Sequence, residues 1–297
     1  MQKVPIIQAS VPPAPMLVRE VFDLVRGLYT AATGALVAEA NVDTIANNLS
    51  NASTAGFKRT LMQIQSAAKT DLYRNQTDPG QLPNAYVPGV AAHQAIGQLG
   101  SGSYVYDTPT EFDQGALQTT GNPLDIALQG PGFLTVSTGP NQVAYTRAGS
   151  LDINAQGVLV TTRGEAVLDT QGNTIVVNPQ NGPVTISKQG VITQAAASGT
   201  GQQSTQIAQL GITQFGNTNA LRAAGGTNFV DAGANPTAST QTSVVQGSIE
   251  SSNADVVRSM VDLIANQRWF EANIKMIQTQ DSTTQAAITT VGHSSNN

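Results

Sequence analysis

A seven-residue apolar period occurs twice in this chain, once near each end, and it constrains the fold more than any other feature. The first run is Leu17, Val21, Leu24, Leu28, Ala31, Ala35, Ala38, Val42, Ile45 and Leu49, stepping by four and three. The second is Val256, Met260, Leu263, Gln267, Phe270, Ile274, Ile277, Asp281, Thr284, Ile288 and Val291, with Gln267, Asp281 and Thr284 as polar interruptions. Such spacing keeps one face of a helix apolar over many turns and matches the a/d seam of a coiled coil. It predicts one helix over 17–50 and another from 255 to Gly292, each about 50–60 Å long at 1.5 Å per residue. Gly27 and Gly34 weaken the first by about 1 kcal/mol each, so a break near Gly27 is expected. Ser252 and Asp255 have the spacing of a helix start, offering oxygens to free backbone N–H groups. Two heptad segments in one chain most simply wind around each other. The expected fold class is α+β: long N- and C-terminal helices paired as a coiled coil, with an inserted antiparallel β-rich domain.

The middle of the chain reads as β structure. Short runs rich in β-branched residues fall at Gly132–Thr138, Val143–Arg147, Ser150–Ile153, Val158–Thr162, Thr174–Asn178, Val184–Ser187, Val191–Gln194 and Gln206–Phe215. Gly- and Asn-rich turns such as Asn154–Gly157 and Lys188–Gly190 separate them. The expected organisation is an arm over 1–15, with four prolines, that is disordered; an N-terminal core helix in 16–60; an extended connector in 61–110; the β-rich domain in 111–247; a C-terminal core helix in 248–292; and a tail in 293–297. Segments 195–203 and 225–242 read as loops.

Composition narrows the function. Only 11% of the 297 residues are charged, and Ala, Thr, Ser, Asn and Gln take their place. Between Gly27 and Asn51 the only charges are Glu39 and Asp43. A solvated helix coats its outer side with Lys and Glu, so this one is prepared for contact on more than one face. A net charge of −5 with no basic run argues against nucleic acid. The chain has no Cys, which excludes disulfides, thiolate metal sites and thiol catalysis. No run of 18 apolar residues is present, and the start lacks the apolar core and cleavage site of a secretory signal.

No cofactor, metal or catalytic centre is expected. His93 and His293, the only histidines, lack ligand-spaced partners. The glycines of Gly97–Gly102 do not join a strand to a helix as a dinucleotide site requires. Glu111, Asp113 and Asp125 could serve as paired acid and base, although acidic loop residues are ordinarily just solvated. Phe270 lies on the seam, so core packing accounts for it, and Trp269 beside it can meet a neighbour or the β lobe.

Three blocks in order carry a resemblance. They are Asn47-Asn48-Leu49-Ser50-Asn51-Ala52-Ser53-Thr54-Ala55-Gly56-Phe57-Lys58-Arg59; Gly121 to Phe133 with Tyr145-Thr146-Arg147-Ala148-Gly149-Ser150; and Gly247-Ser248-Ile249-Glu250-Ser251-Ser252-Asn253 continuing to Gln280-Asp281. This pattern resembles the bacterial flagellar rod and hook family, whose members are axial proteins of the flagellum. The resemblance implies a structural, non-enzymatic subunit of the basal-body rod, its length fitting the rod proteins better than the longer hook protein, with distal rod type as the favoured reading. It would be exported by the flagellar type III apparatus without a cleaved signal and polymerise into a hollow shaft that transmits torque. Implied partners are copies of itself, neighbouring rod and hook proteins, the surrounding P- and L-ring proteins and the export apparatus. The assembly residues so indicated are Leu28, Ala35, Val42, Ile45, Leu49, Met260, Leu263, Phe270, Ile274 and Ile277 on the seams, with Asn47, Asn48, Gly56 and Phe57 shaping the exit of the first helix. Competing readings from the residues alone are a proximal rod or hook-type subunit, a periplasmic β-domain enzyme or glycan binder on a coiled-coil stalk, and a soluble coiled-coil oligomer.

Overall fold

The computed structural model describes residues 16–68, 70–73, 95–100, 102–140, 142–178, 180–195 and 204–294. The arm at 1–15 and His93 lie outside them. The described parts divide into two compact units. One gathers residues from Met1–Val42, Gln63–Asp107 and Ile264–Asn297; the other is Asp43–Met62 with Thr108–Leu263.

Helix α1 spans Met16–Ser50 and α2 spans Val256–Ser294. The apolar period therefore does make two long helices, and α1 runs unbroken through Gly27. Asp255 caps α2: its Oδ1 accepts from the backbone N–H of Val257 at 2.9 Å and of Arg258 at 3.1 Å. Ser252 instead closes the turn before it, accepting from Ala254 N–H.

The expected coiled coil is not what these helices form. The described residues hold two long helices and a large antiparallel β-rich body, and amide side chains of α2 approach α1 at three places. Asn41 Nδ2 donates to Asn266 Oδ1 at 2.7 Å. A Cβ on Gly34 would meet the Asn273 amide at 3.1 Å, and one on Gly27 would run into the Gln280 amide. The glycines leave room for amide side chains where knobs-into-holes packing would need apolar ones. No α2 side chain that is described is fully buried, and Leu28 and Met260, assigned to the seams, are exposed. The contacts run one position to the side of the predicted seams, Gly27, Gly34 and Asn41 facing the amides of Gln280, Asn273 and Asn266, which accounts for the difference.

In the same unit Gln63–Ser66 pairs antiparallel with Ser103–Asp107, and Thr70–Tyr73 with Ala95–Leu99. The segment read from sequence as an extended connector thus carries four strands. Gly102, at φ 93°, lies against the Thr33 side chain of α1.

The β-rich body is built on Gly132–Gly139, which pairs antiparallel with Gln142–Thr146, Ala166–Val167 and Ile212–Phe215. Side chains alternate across a strand, and here both faces are covered. Leu134 and Val136 enter an aliphatic core with Ile126, Leu128, Leu159 and Ile192. Phe133 points the other way into a cluster with Tyr145, Phe215 and Phe229. The rings meet edge to face, Tyr145 and Phe215 at 4.8 Å between centroids. The run Gln206–Phe215, expected as one strand, is two: Thr205–Gln209 and Ile212–Phe215. Gly211 lies between them because the backbone there is pressed onto Leu168 and Asp169, its N–H donating to the Leu168 carbonyl at 2.9 Å. The expected loop at 225–242 holds the strands Asn228–Asp231 and Pro236–Ala238, and Thr174–Asn178 makes only isolated bridges, Val158↔Val176 and Leu168↔Thr174.

Candidate functional site

The chain leaves α1 through a run of residues whose side chains compete for backbone hydrogen bonds. Ser50 Oγ and Asn51 Nδ2 both donate to the Asn47 carbonyl at 2.9 Å, sharing it with the backbone N–H of Asn51 in the last turn. Buried Asn48 turns inward instead: Nδ2 donates to the Thr60 carbonyl at 2.7 Å, and Oδ1 accepts from the Thr60 N–H at 2.9 Å. The amide stands where a neighbouring strand would. Gly56 then takes φ 72° and donates its N–H to the Glu250 carbonyl at 2.7 Å. Any Cβ there would overlap the backbone of Arg147 and Ala148.

This turn delivers Lys58 to a buried ionic cluster. Its Nζ lies 2.5 Å from Glu250 Oε1 and donates to the Asp113 carbonyl at 2.7 Å, with both side chains shut off from solvent. The other Glu250 oxygen is 3.3 Å from Arg147 Nη1. Arg147 Nη2 donates to the Gly130 carbonyl at 2.6 Å, and the guanidinium sits 4.9 Å over the Phe133 ring. Gly115 N–H completes the shell of Glu250 Oε1 at 2.9 Å. One carboxylate therefore serves two buried cations. Burial pushes the Lys58 ammonium and the Arg147 guanidinium below their usual values, and Glu250 opposes the shift in both. Removing the shared carboxylate would strand two buried cations, which costs far more than the cluster contributes net.

Asn253 fastens the entry to α2 nearby. It accepts from the Arg59 N–H at 2.7 Å and donates to the carbonyls of Glu111 at 2.8 Å and Asp113 at 3.3 Å. Asn253→Ala orphans these backbone groups and is expected to cost about 1–3 kcal/mol in urea unfolding. Arg59, Glu111, Asp113 and Asp255 line an open cleft of about 390 Å³ beside it. The carboxylates considered as acid and base have other partners. Glu111 is ion-paired and hydrogen-bonded to Arg59, and Asp125 accepts from Thr120 Oγ1 at 2.7 Å and Asn122 Nδ2 at 3.1 Å within a turn.

The Arg59 hydrogen bond holds the Glu111 carboxyl below its usual range. A depressed carboxyl stabilises the fold above its unfolded pKa, about 4.3, and loses that contribution as pH falls through its folded value. Comparing the wild type with Glu111→Gln by urea unfolding at pH 7 and pH 3 should show a difference at pH 7 that shrinks at pH 3. Partial exposure keeps it within about 1 kcal/mol.

The residues indicated by sequence fall into two groups. Ala35, Asn48, Gly56 and Phe57 are buried, and Val42, Ile45, Leu49, Leu263, Phe270, Ile274 and Ile277 are half-buried. Leu28, Asn47 and Met260 are exposed. The structure brings Asn48, Gly56 and Phe57 into one unit with the ionic cluster. Lys58, Arg147, Glu250 and Asn253 were part of the quoted motifs, but sequence gave them no role. For Lys58, Arg147 and Glu250 the available signal was a charged residue in a chain with only 11% of them; Asn253 carried no such signal.

Outside the junction both helices present apolar side chains to solvent. On α1 these include Tyr29, 69% exposed, and Leu36, 65%. On α2 they include Val257 at 73%, Val261 at 61%, Ile264 at 52% and Trp269 at 48%. A row of large apolar side chains on one helix marks an interaction surface.

Comparison with known proteins matches these segments. The family described as flagella basal body rod protein matches residues 28–58, the flagellar hook protein FlgE/F/G D1 domain residues 127–194, and the flagellar basal body rod FlgEFG protein C-terminal family residues 245–290. The flagellar basal-body rod protein FlgG of Borreliella burgdorferi is 32% identical over 276 residues, covering 87% of this chain and 96% of that protein. FlgG of Caulobacter vibrioides is 34% identical over 88% of this chain and 97% of its own length, and FlgG of Bacillus subtilis 31% over 89% and 98%. The matched blocks begin on α1, run through the body that holds Arg147, and end on the helix that follows Glu250, over nearly the full length of the relatives, and so the chain belongs to the flagellar basal-body rod protein family.

Proposed function

We propose that this chain is a distal-type rod subunit whose terminal helices form its polymerisation surface. The observation that carries the reading is α2: 39 residues long, with no described side chain fully buried and with Val257, Val261 and Ile264 in solvent. A helix of that length gets most of its stability from packing an apolar face, and copies of the same chain can supply the missing surface. Sparse charge suits this, because unpaired ions buried at each interface would be costly. A heterologous contact that does not close gives a filament rather than a ring. The shaft so formed would be hollow, transmit torque to the hook, and meet neighbouring rod and hook proteins at its ends and the P- and L-ring proteins around it. Its subunits would arrive through the flagellar type III export apparatus without losing a signal peptide.

Substituting Val261→Asp together with Ile264→Asp tests the surface. Both side chains are exposed, so the unfolding midpoint of the β-rich body is expected to stay unchanged while filament formation, followed by electron microscopy, is lost. Filaments at wild-type yield would refute the reading.

A further inference from the structure

The outward faces of the two helices differ in charge. On α1 the only charged side chains between Gly27 and Asn51 are Glu39 and Asp43, one turn apart and both exposed. On the central part of α2 the exposed cations are Arg268 and Lys275, two turns apart. None of these four makes an ion pair with any described residue. Glu271 lies between the two cations, so this stretch of α2 carries +1 against −2 on α1. Each charged stretch has a large exposed apolar residue at one end: Leu36 precedes Glu39 on α1, and Met276 follows Lys275 on α2.

Direction decides whether these features can meet. Within a copy the helices are antiparallel, since Asn41 meets Asn266 while Gly34 meets Asn273 and Gly27 meets Gln280. In an assembly whose copies share one axial direction, α1 of one copy and α2 of the next are antiparallel as well. Read that way, Leu36, Glu39, Asp43 runs against Met276, Lys275, Arg268. At 1.5 Å per residue the acids are about 6 Å apart and the bases about 10.5 Å, so both acids fit between the bases.

We propose that the outer face of α1 is keyed by charge to the outer face of α2 in the next copy, Glu39 and Asp43 seating between Arg268 and Lys275 with Leu36 against Met276. This rests on the reading of the chain as a self-assembling rod subunit and adds which faces meet. Rim charges of this kind act on the association rate and on partner choice. With so few charges on either helix, these four specify register where the surrounding Ala, Thr and Ser cannot.

The test is a charge swap in the full-length chain, with polymerisation followed by light scattering and electron microscopy and the β-rich body checked by its unfolding midpoint. Glu39→Lys with Asp43→Lys, and separately Arg268→Glu with Lys275→Glu, should each slow assembly by about tenfold or more at low salt. The four substitutions combined should return it to within about threefold of wild type. Glu39→Gln with Asp43→Asn removes the attraction without adding repulsion and should flatten the salt dependence of the wild-type rate. Wild-type rates in either reversed chain, no recovery in the combined chain, or an unchanged salt dependence in the neutral one would each overturn the keying and leave the rod reading standing. A wild-type chain that forms no filaments would overturn both.

Discussion

Glu250→Gln is expected to cost about 3–5 kcal/mol, because it leaves the buried Lys58 and Arg147 facing each other without a counter-charge. Glutamine nearly preserves the shape of glutamate, so lost packing would not explain the loss. A domain has about 5–15 kcal/mol of stability in total, and the β-rich body of this variant should unfold at a much lower urea concentration. Lys58→Met provides the contrast. It removes the excess cation, and the remaining Arg147–Glu250 pair is balanced in charge, so it should cost clearly less than Glu250→Gln even though the Asp113 carbonyl loses one of its two donors. Equilibrium urea unfolding of the two variants checks the order. Equal costs, or a Glu250→Gln penalty under about 1 kcal/mol, would mean that the cluster does not hold this unit together.

Gly56→Ala is expected to be the second most damaging substitution considered. A left-handed backbone costs an L-residue about 1–2 kcal/mol, and here the new Cβ also falls on the backbone of Arg147 and Ala148. Relief requires the backbone of 147–148 or the turn itself to shift, and a shift at Arg147 displaces its guanidinium from Glu250 and the Gly130 carbonyl. We expect about 3 kcal/mol or more, near the upper end for a single substitution. Gly121→Ala separates the two causes: Gly121 has a similar φ of 76° but open space around it, so it should cost about 1–2 kcal/mol from the backbone alone. Equal unfolding midpoints for the two variants would show that the contact with 147–148 is harmless.

Much of this architecture was written in local patterns. Heptad spacing gave both helices, and the strands at 132–138, 143–147, 184–187 and 191–194 stood out through β-branched runs between glycine turns. The helix contacts were not legible, because Gly27 and Gly34 read only as residues that weaken the first helix and Asn41 drew no reading, when these are the places where amides of α2 approach. Periodicity reports which side of a helix is apolar and says nothing of what covers it. The ionic cluster escaped for a different reason. Lys58, Arg147 and Glu250 are separated by 89 and 103 residues, and only the sheet brings them together. The break at Gly211 likewise depends on Leu168 and Asp169, which no window around residue 211 contains.

Trp269 allows the central claim to be read directly, since it is the single tryptophan of the chain and is 48% exposed on α2. The measurement is its fluorescence, with iodide quenching, in the full-length protein before and after polymerisation. If copies of the chain cover the exposed faces of the helices, emission should shift to shorter wavelength and quenching should fall several-fold in the filaments. Filaments in which Trp269 keeps the emission and quenching of the free subunit would contradict that account.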